Sequence, residues 1–187
     1  MNKVIAGDGK NINIALIGYG FVGKTFHAPL IRSIDGLKLA VVSSRDEEKV
    51  KRDIPDVTVI ASPEEAIRHP DIDLVVIASP NATHAPLAKL ALNAGKHVVV
   101  DKPFTLDMQE ARELIALAQE KQLLLSVFHN RRWDSDFLGI KQVIEQGLIG
   151  NVKHFESHFD RFRPEVRVRW REQNVPGSGL WFDLGPH

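Results

Sequence analysis

Three groups of residues have types and spacings suited to chemistry. The first is Gly18-Tyr19-Gly20-Phe21-Val22-Gly23, reached directly from the apolar run Ile14-Ala15-Leu16-Ile17. Gly18 suits a tight strand-to-helix turn, Gly20 lets a pyrophosphate approach the bare backbone, and Gly23 lets the helix pack closely on the strand. The helix that follows would aim its first N–H groups, and the positive end of its dipole, at phosphate oxygens. Gly18, Gly20, Phe21, Val22 and Gly23 are therefore the candidate diphosphate contacts. Glycine clusters also punctuate ordinary loops. Here the strand before and the helix after supply the context that a dinucleotide site requires.

The second group lies at the ends of later apolar runs. Ser43-Ser44-Arg45 closes one of them. A carboxylate at that point would accept from the ribose 2′-hydroxyl of NAD, whereas two hydroxyls and a guanidinium suit a 2′-phosphate. NADP is thus preferred over NAD, and the competing reading is a solvated turn. Asp46 follows and can cap the next helix. Ser79, Asn81 and His84 lie in Ser79-Pro80-Asn81-Ala82-Thr83-His84. Asn81 could contact a cofactor, Thr83 or His84 could shape the pocket, and a helix cap at Asn81 or Thr83 explains the segment equally well. Asp101-Lys102-Pro103 ends another run. A lysine partly desolvated beside a cofactor gives up its proton more readily and can polarise a substrate oxygen. A lone lysine after a strand is, however, most often solvated.

The third group closes the chain: Trp181-Phe182-Asp183-Leu184-Gly185-Pro186-His187. In a helix, Asp183 and His187 would share a face. Histidine titrates near neutrality and can exchange a proton with a hydroxyl. No third ligand stands at a suitable spacing for a metal. His154 and His158, read as strand residues, would lie ~13 Å apart, too far for one ion. No metal site is expected.

The elements that must position these groups follow from periodicity. Strands are predicted over residues 12–17, 37–42, 57–60, 72–78, 97–100 and 123–127, with helices over 21–33, 84–94 and 134–146 and a shorter one opened by Ser62-Pro63-Glu64-Glu65. Pro29 should kink or shorten the first helix. Asp107 and Glu110 form a second capping box. Continuous apolar runs such as 72–78 suit strands buried on both faces of a parallel sheet. The alternation implies right-handed crossovers and a doubly wound α/β domain over residues 1–128. From Asn151 the pattern changes. Phe155, Ser157 and Phe159 alternate with charged residues, and then Phe162, Pro164, Val166, Val168 and Trp170 alternate with Arg161, Arg163, Glu165, Arg167, Arg169 and Arg171. This reads as the opening of a second sheet with a bulge near Asp160, so residues 129–187 are expected to be a connecting helix and the incomplete start of a second domain. The arginines could bind phosphate or nucleic acid, but read better as the wet face of a strand. His129-Asn130-Arg131-Arg132-Trp133 could line a pocket for a polar substrate.

Composition bounds the partners. The 187 residues are 43% hydrophobic and 26% charged, with 24 basic and 24 acidic side chains and no cysteine. Zero net charge offers nothing for nucleic acid or a membrane surface. The absence of cysteine excludes disulfides and thiolate chemistry and fits a reducing, cytoplasmic setting. No run approaches membrane-span length, and the first thirteen residues lack the apolar core of a signal peptide.

With these segments in place, the chain resembles the glucose–fructose oxidoreductase / inositol dehydrogenase / MocA (Gfo/Idh/MocA) family, and within it the YdgJ-like subgroup. The family resemblance rests on the early G-x-G-x-x-G, Pro80-Asn81-x-x-His84, Lys102-Pro103 and Asp183-x-Gly185-x-His187, in that order, and the subgroup resemblance on Phe128 to Phe137 and Glu156 to Trp181. It implies a Rossmann domain followed by an α/β domain whose mostly antiparallel sheet builds dimers or tetramers. By motif match, Lys102 corresponds to the catalytic lysine, and Asp183 and His187 to the substrate-contacting pair, with His187 as general acid/base. Asp101 stands where glutamate is usual. Family members continue beyond the motif histidine, so the 187 residues are expected to bind cofactor but turn over little. The implied function is hydride transfer between NAD(P) and a hydroxyl- or carbonyl-bearing carbon of a sugar, cyclitol or related polyol. The alternative is a dinucleotide-binding sensor without redox turnover.

Overall fold

The computed structural model describes residues 11–160, 162–165 and 168–187. The N-terminal stretch through Lys10, and Arg161, Val166 and Arg167 of the alternating segment, lie outside the described residues. Six strands, β1 (Ile12–Ile17), β2 (Leu37–Ser43), β3 (Thr58–Ile60), β4 (Leu74–Ile77), β5 (His97–Asp101) and β6 (Leu125–Phe128), form one sheet in the order β3-β2-β1-β4-β5-β6. Every neighbouring pair is parallel. Between them run α1 (Ala28–Ser33), α2 (Glu47–Asp53), α3 (Pro63–Arg68), α4 (His84–Asn93) and α5 (Met108–Glu120). Strand order reverses between β1 and β4. In a doubly wound sheet that reversal opens a crevice outside the carboxyl ends of the strands.

The sheet is buried on both faces, as its apolar runs require. Ala15, Ile17, Val75, Ile77, Val98 and Val100 face Ala66, Ile67, Ala88, Leu92, Leu114 and Ala118 of the helices on one side. Ile14, Leu16, Val42 and Val76 face Ala28, Ile31, Val50 and Ile54 on the other. In β2, Leu39 joins one layer and Val41 the opposite one, although residues two apart normally share a face. The register explains this: Ile14 pairs with Leu39 but Ala15 with Val41, so Ala40 is the extra residue of a bulge.

Helix starts follow the sequence signals. Ser62 Oγ accepts from the Glu65 N–H at 3.2 Å, and Asp107 Oδ1 accepts from Gln109 at 2.7 Å and Glu110 at 3.2 Å. Such caps are worth about 1 kcal/mol each. The helix is not cut short at Pro29; residues Gly23–His27 widen into a π turn, in which the Ala28 N–H reaches back to Gly23 O. The wider turn makes room for a ring that would otherwise press on the carbonyl four residues back, and α1 then continues to Ser33.

The chain divides into two compact units, residues 1–128 and 129–187. The second holds a 3-10 turn (Asn130–Trp133), α6 (Ser135–Glu145), a further 3-10 turn (Trp170–Glu172) and α7 (Leu180–Leu184). Here the strand expectation fails: residues 152–160 form neither strand nor helix, and no second sheet occurs among the described residues. Alternation sorts side chains onto two faces, but a strand also needs a neighbour for its N–H and C=O groups. No described helix is long and apolar enough to cross a membrane.

Candidate functional site

The glycine turn sits at the β1/β4 reversal and is pinned from both sides. Gly18 N–H donates to Ser43 O at 3.0 Å, and Ala78 N–H donates to Ile17 O at 2.8 Å. Gly18 has φ +99°, and a Cβ there would lie 2.7 Å from Ala78 O. A Cβ on Gly23 would run into the Gly18 carbonyl, whereas one on Gly20 would meet only open space. Two glycines thus fix the path of the chain, and the third leaves exposed, bare backbone. The helical ladder opens with Lys24 N–H donating to Gly20 O at 3.0 Å, so the amides ahead of it lie at the helix start, where an anion can take them. These features fit a dinucleotide diphosphate.

Side chains outside the motif hold this turn. Lys49 Nζ donates to Tyr19 O at 3.0 Å, Tyr19 Oη donates to Asp53 at 3.2 Å, and Lys24 pairs with Asp53 at 2.7 Å. The Lys24 ammonium is the chief cause of Asp53 lying below the usual carboxylate range. Burial is the main cause that pushes the Tyr19 phenol up, and the Asp53 charge adds to it. Sequence reasoning missed Lys49 and Asp53, because a charged helix face carries no motif.

At the end of β2 the three candidate residues separate. Ser43 is buried, and its carbonyl serves the glycine turn. Ser44 Oγ exchanges hydrogen bonds with the backbone of Asp46, while Arg45 is exposed. Asp46 Oδ1 accepts from the Lys49 N–H at 2.9 Å and is thereby engaged as the cap of α2.

Beyond β4, Thr83 Oγ1 donates to Pro80 O at 2.7 Å. The 2.6 Å contact between Ser79 Oγ and Thr83 Oγ1 must then have Ser79 as donor, because each hydroxyl has one proton. Ser79 can offer a ligand only its lone pairs. Asn81 is buried in the same turn. His84 is 1% exposed, with Nδ1 2.7 Å from Pro103 O and Nε2 3.0 Å from Ser79 O. Its ring is therefore committed to two backbone carbonyls. Both ring nitrogens thus face protein carbonyls. Lys102, half-buried, follows β5; its N–H donates to Asp101 Oδ1 at 2.8 Å, and the Lys102–Pro103 peptide is cis.

His27 is a further residue with no sequence signal beyond being a histidine on an apolar helix face. It is 4% exposed, and its ring centroid lies 4.3 Å from that of Phe128, the register partner of Asp101. Its Nε2 is buried with no protein partner. Burial pushes the imidazole below its ordinary pKa, and the Asp101 charge opposes that shift.

In the second unit, His187 and the segment that follows β6 come together. His129, Arg131, Arg132, Phe137, Pro186 and His187 line a cavity of about 330 Å³. His129 Nδ1 donates to Pro186 O at 3.1 Å, Arg131 bonds Asp134 at 2.8 Å and lies 5.4 Å from the Phe159 ring centre, and His187 stacks on the same ring at 6.4 Å. Asp183 is in α7 and pairs with Arg171 at 3.3 Å. Gly185 is required there, since a Cβ would lie 2.5 Å from Trp181 O. The exposed His154 and His158 both bond Glu156, at 2.8 Å and 3.3 Å, and draw its carboxyl below the usual range. No metal-holding cluster occurs among the described residues.

The chain matches two family models: the oxidoreductase family with an NAD-binding Rossmann fold (GFO_IDH_MocA) over residues 12–129, and the GFO/IDH/MocA C-terminal domain over residues 137–187. It is 63% identical over 177 residues to the uncharacterized oxidoreductase YdgJ of Escherichia coli, covering 95% of this chain and 51% of that protein. It is 40% identical over 176 residues to the scyllo-inositol 2-dehydrogenase (NADP(+)) IolW of Bacillus subtilis, covering 94% and 49%. Among solved structures, a putative oxidoreductase from Klebsiella pneumoniae is 87% identical with a TM-score of 0.87, covering 95% of this chain and 49% of that one. The chain thus spans about half the length of these relatives.

Proposed function

The chain belongs to the GFO/IDH/MocA oxidoreductase family, and from that premise we propose that it is the dinucleotide-binding part of an NADP-preferring dehydrogenase acting on a sugar, cyclitol or related polyol. The observation that carries this reading is the glycine turn at the strand-order reversal, with its path fixed by Gly18 and Gly23 and bare backbone at Gly20. Phe21, Val22 and the three glycines hold the diphosphate through backbone amides. Ser44 and Arg45 hold the 2′-phosphate. The capping role of Asp46 supports NADP, because the nearest carboxylate after β2 is already engaged. The name of the Bacillus relative, an NADP-dependent scyllo-inositol dehydrogenase, supports both the cofactor and the polyol class. Dinucleotide binding is proposed for this segment, and turnover for the longer family architecture, with the mostly antiparallel second sheet as the oligomer-forming element of a cytoplasmic dimer or tetramer.

The nicotinamide, when bound, supplies or accepts the hydride. His187 takes the substrate hydroxyl proton in the oxidation direction and returns it in reduction. Lys102 stabilises the charge that develops on the substrate oxygen. Asp183 holds the substrate. In the full-length protein, Lys102→Ala should lower turnover on its polyol by at least a hundredfold with NADPH affinity preserved, a loss typical of an acid–base or charge-stabilising group. Unchanged turnover would remove Lys102 from the mechanism.

A further inference from the structure

We propose that His84 is a positioning residue, a latch that couples the Ser79-to-Asn81 loop to the Lys102–Pro103 loop, so that seating a dinucleotide on the first sets the aim of the lysine on the second. The inference rests on the dinucleotide reading above for its ligand, and on hydrogen-bond geometry for the latch itself.

β4 and β5 are neighbours, and each ends in one of these loops. His84 is the first residue of α4, placed below both. Its two nitrogens reach Ser79 O and Pro103 O, carbonyls 5 and 19 residues away in sequence, from a ring that is 1% exposed. Each loop also has hydrogen bonds of its own. On one side Ser79, Thr83 and Pro80 form a closed chain of hydrogen bonds. On the other, Asp101 accepts the Lys102 N–H, and Pro103 is buried. The imidazole joins the two networks. Without it, the carbonyls of both loops would lose a buried partner, a loss that costs more than the bond itself.

The two bonds can be removed separately. The amide nitrogen of asparagine falls where Nδ1 stands, and that of glutamine where Nε2 stands. His84→Asn therefore keeps the Pro103 bond and loses the Ser79 bond, His84→Gln does the reverse, and His84→Leu loses both. NADPH affinity, from nicotinamide fluorescence, reports on the Ser79 loop. The acylation rate of Lys102 in the NADPH-bound chain, from mass spectrometry, reports on the other. One lost hydrogen bond corresponds to a factor of about five. The expected result is about fivefold weaker NADPH binding with near-native Lys102 reactivity in His84→Asn, the converse in His84→Gln, and both changes in His84→Leu. Asparagine and glutamine variants that cannot be told apart, whether both native-like or both like His84→Leu, would overturn the latch. Should the variants fail to fold, hydrogen exchange of the wild-type chain decides: the amides of Thr83 and Lys102 should open with one common free energy, and independent opening would overturn the proposal. A wild-type chain that binds no NADPH would sink the dinucleotide reading instead, while the exchange measurement would still test the latch.

Discussion

The ammonium of Lys49 donates a hydrogen bond to the backbone carbonyl of Tyr19 at 3.0 Å. This ties the middle of the glycine turn to α2, the helix that follows the Ser44–Arg45 tip. The glycine turn and the end of β2 are therefore tied together through α2, and Asp53 reinforces the link through Lys24 and Tyr19. Preorganisation of this kind lowers the ordering cost of binding.

The close approach of Gly23 to the Gly18 carbonyl leaves no room for a side chain. Gly23→Ala should therefore destabilise the chain by about 1–3 kcal/mol, the usual cost of forcing extra volume into a packed contact. It should also weaken NADPH binding, because the turn must shift. Urea unfolding followed by circular dichroism measures the first effect, and fluorescence titration the second. A native midpoint with native affinity would show that the turn tolerates a Cβ.

Arg45 is exposed beside Ser44, with Asp46 already engaged as the α2 cap. A charge-assisted contact to a 2′-phosphate is worth about 1.5–3 kcal/mol, so Arg45→Ala should weaken NADPH binding roughly tenfold or more. NADH, lacking that phosphate, should bind as before. Parallel titrations of the two cofactors check this. An equal loss for both would place Arg45 elsewhere.

Burial holds the His27 imidazole below the roughly 6.5 expected of an unfolded histidine, with Asp101 opposing the shift. A depressed native pKa means that the unfolded state binds the proton first. The stability this contributes is fully present above about pH 6.5 and is lost as pH falls through the native value. His27→Phe should flatten the fall in urea midpoint between pH 7.5 and pH 5.5 relative to wild type. An unchanged pH slope would show that His27 accepts its proton in the native state at no cost.

Most of the first unit is written locally. Caps at Ser62 and Asp107 need only a hydroxyl or carboxylate and the amides two or three residues on, so spacing reveals them. The runs of β4 and β5 are apolar on both faces, which fixes a parallel sheet. The doubly wound class follows from the alternation of strands and helices, and the glycine turn from its own motif. What escaped depends on distance or on partners. The His84 bond to Pro103 spans 19 residues. His27 meets Phe128 far along the chain, at the end of β6. Ser43 stands beside Ser44 and Arg45 in sequence, yet strand register buries it. The alternation around Phe155 and Phe159 reads as a strand, but alternation encodes faces and not a neighbour to pair with. The π turn ahead of Pro29 escapes a proline rule, which assumes an α-helical turn.

The central claim is that a dinucleotide diphosphate rests on the bare backbone at Gly20. The most direct measurement is a fluorescence titration of the chain with NADPH and NADH. The account predicts saturable binding, tighter for NADPH, that weakens sharply in Gly23→Ala. Binding of neither cofactor by the folded wild-type chain would contradict it.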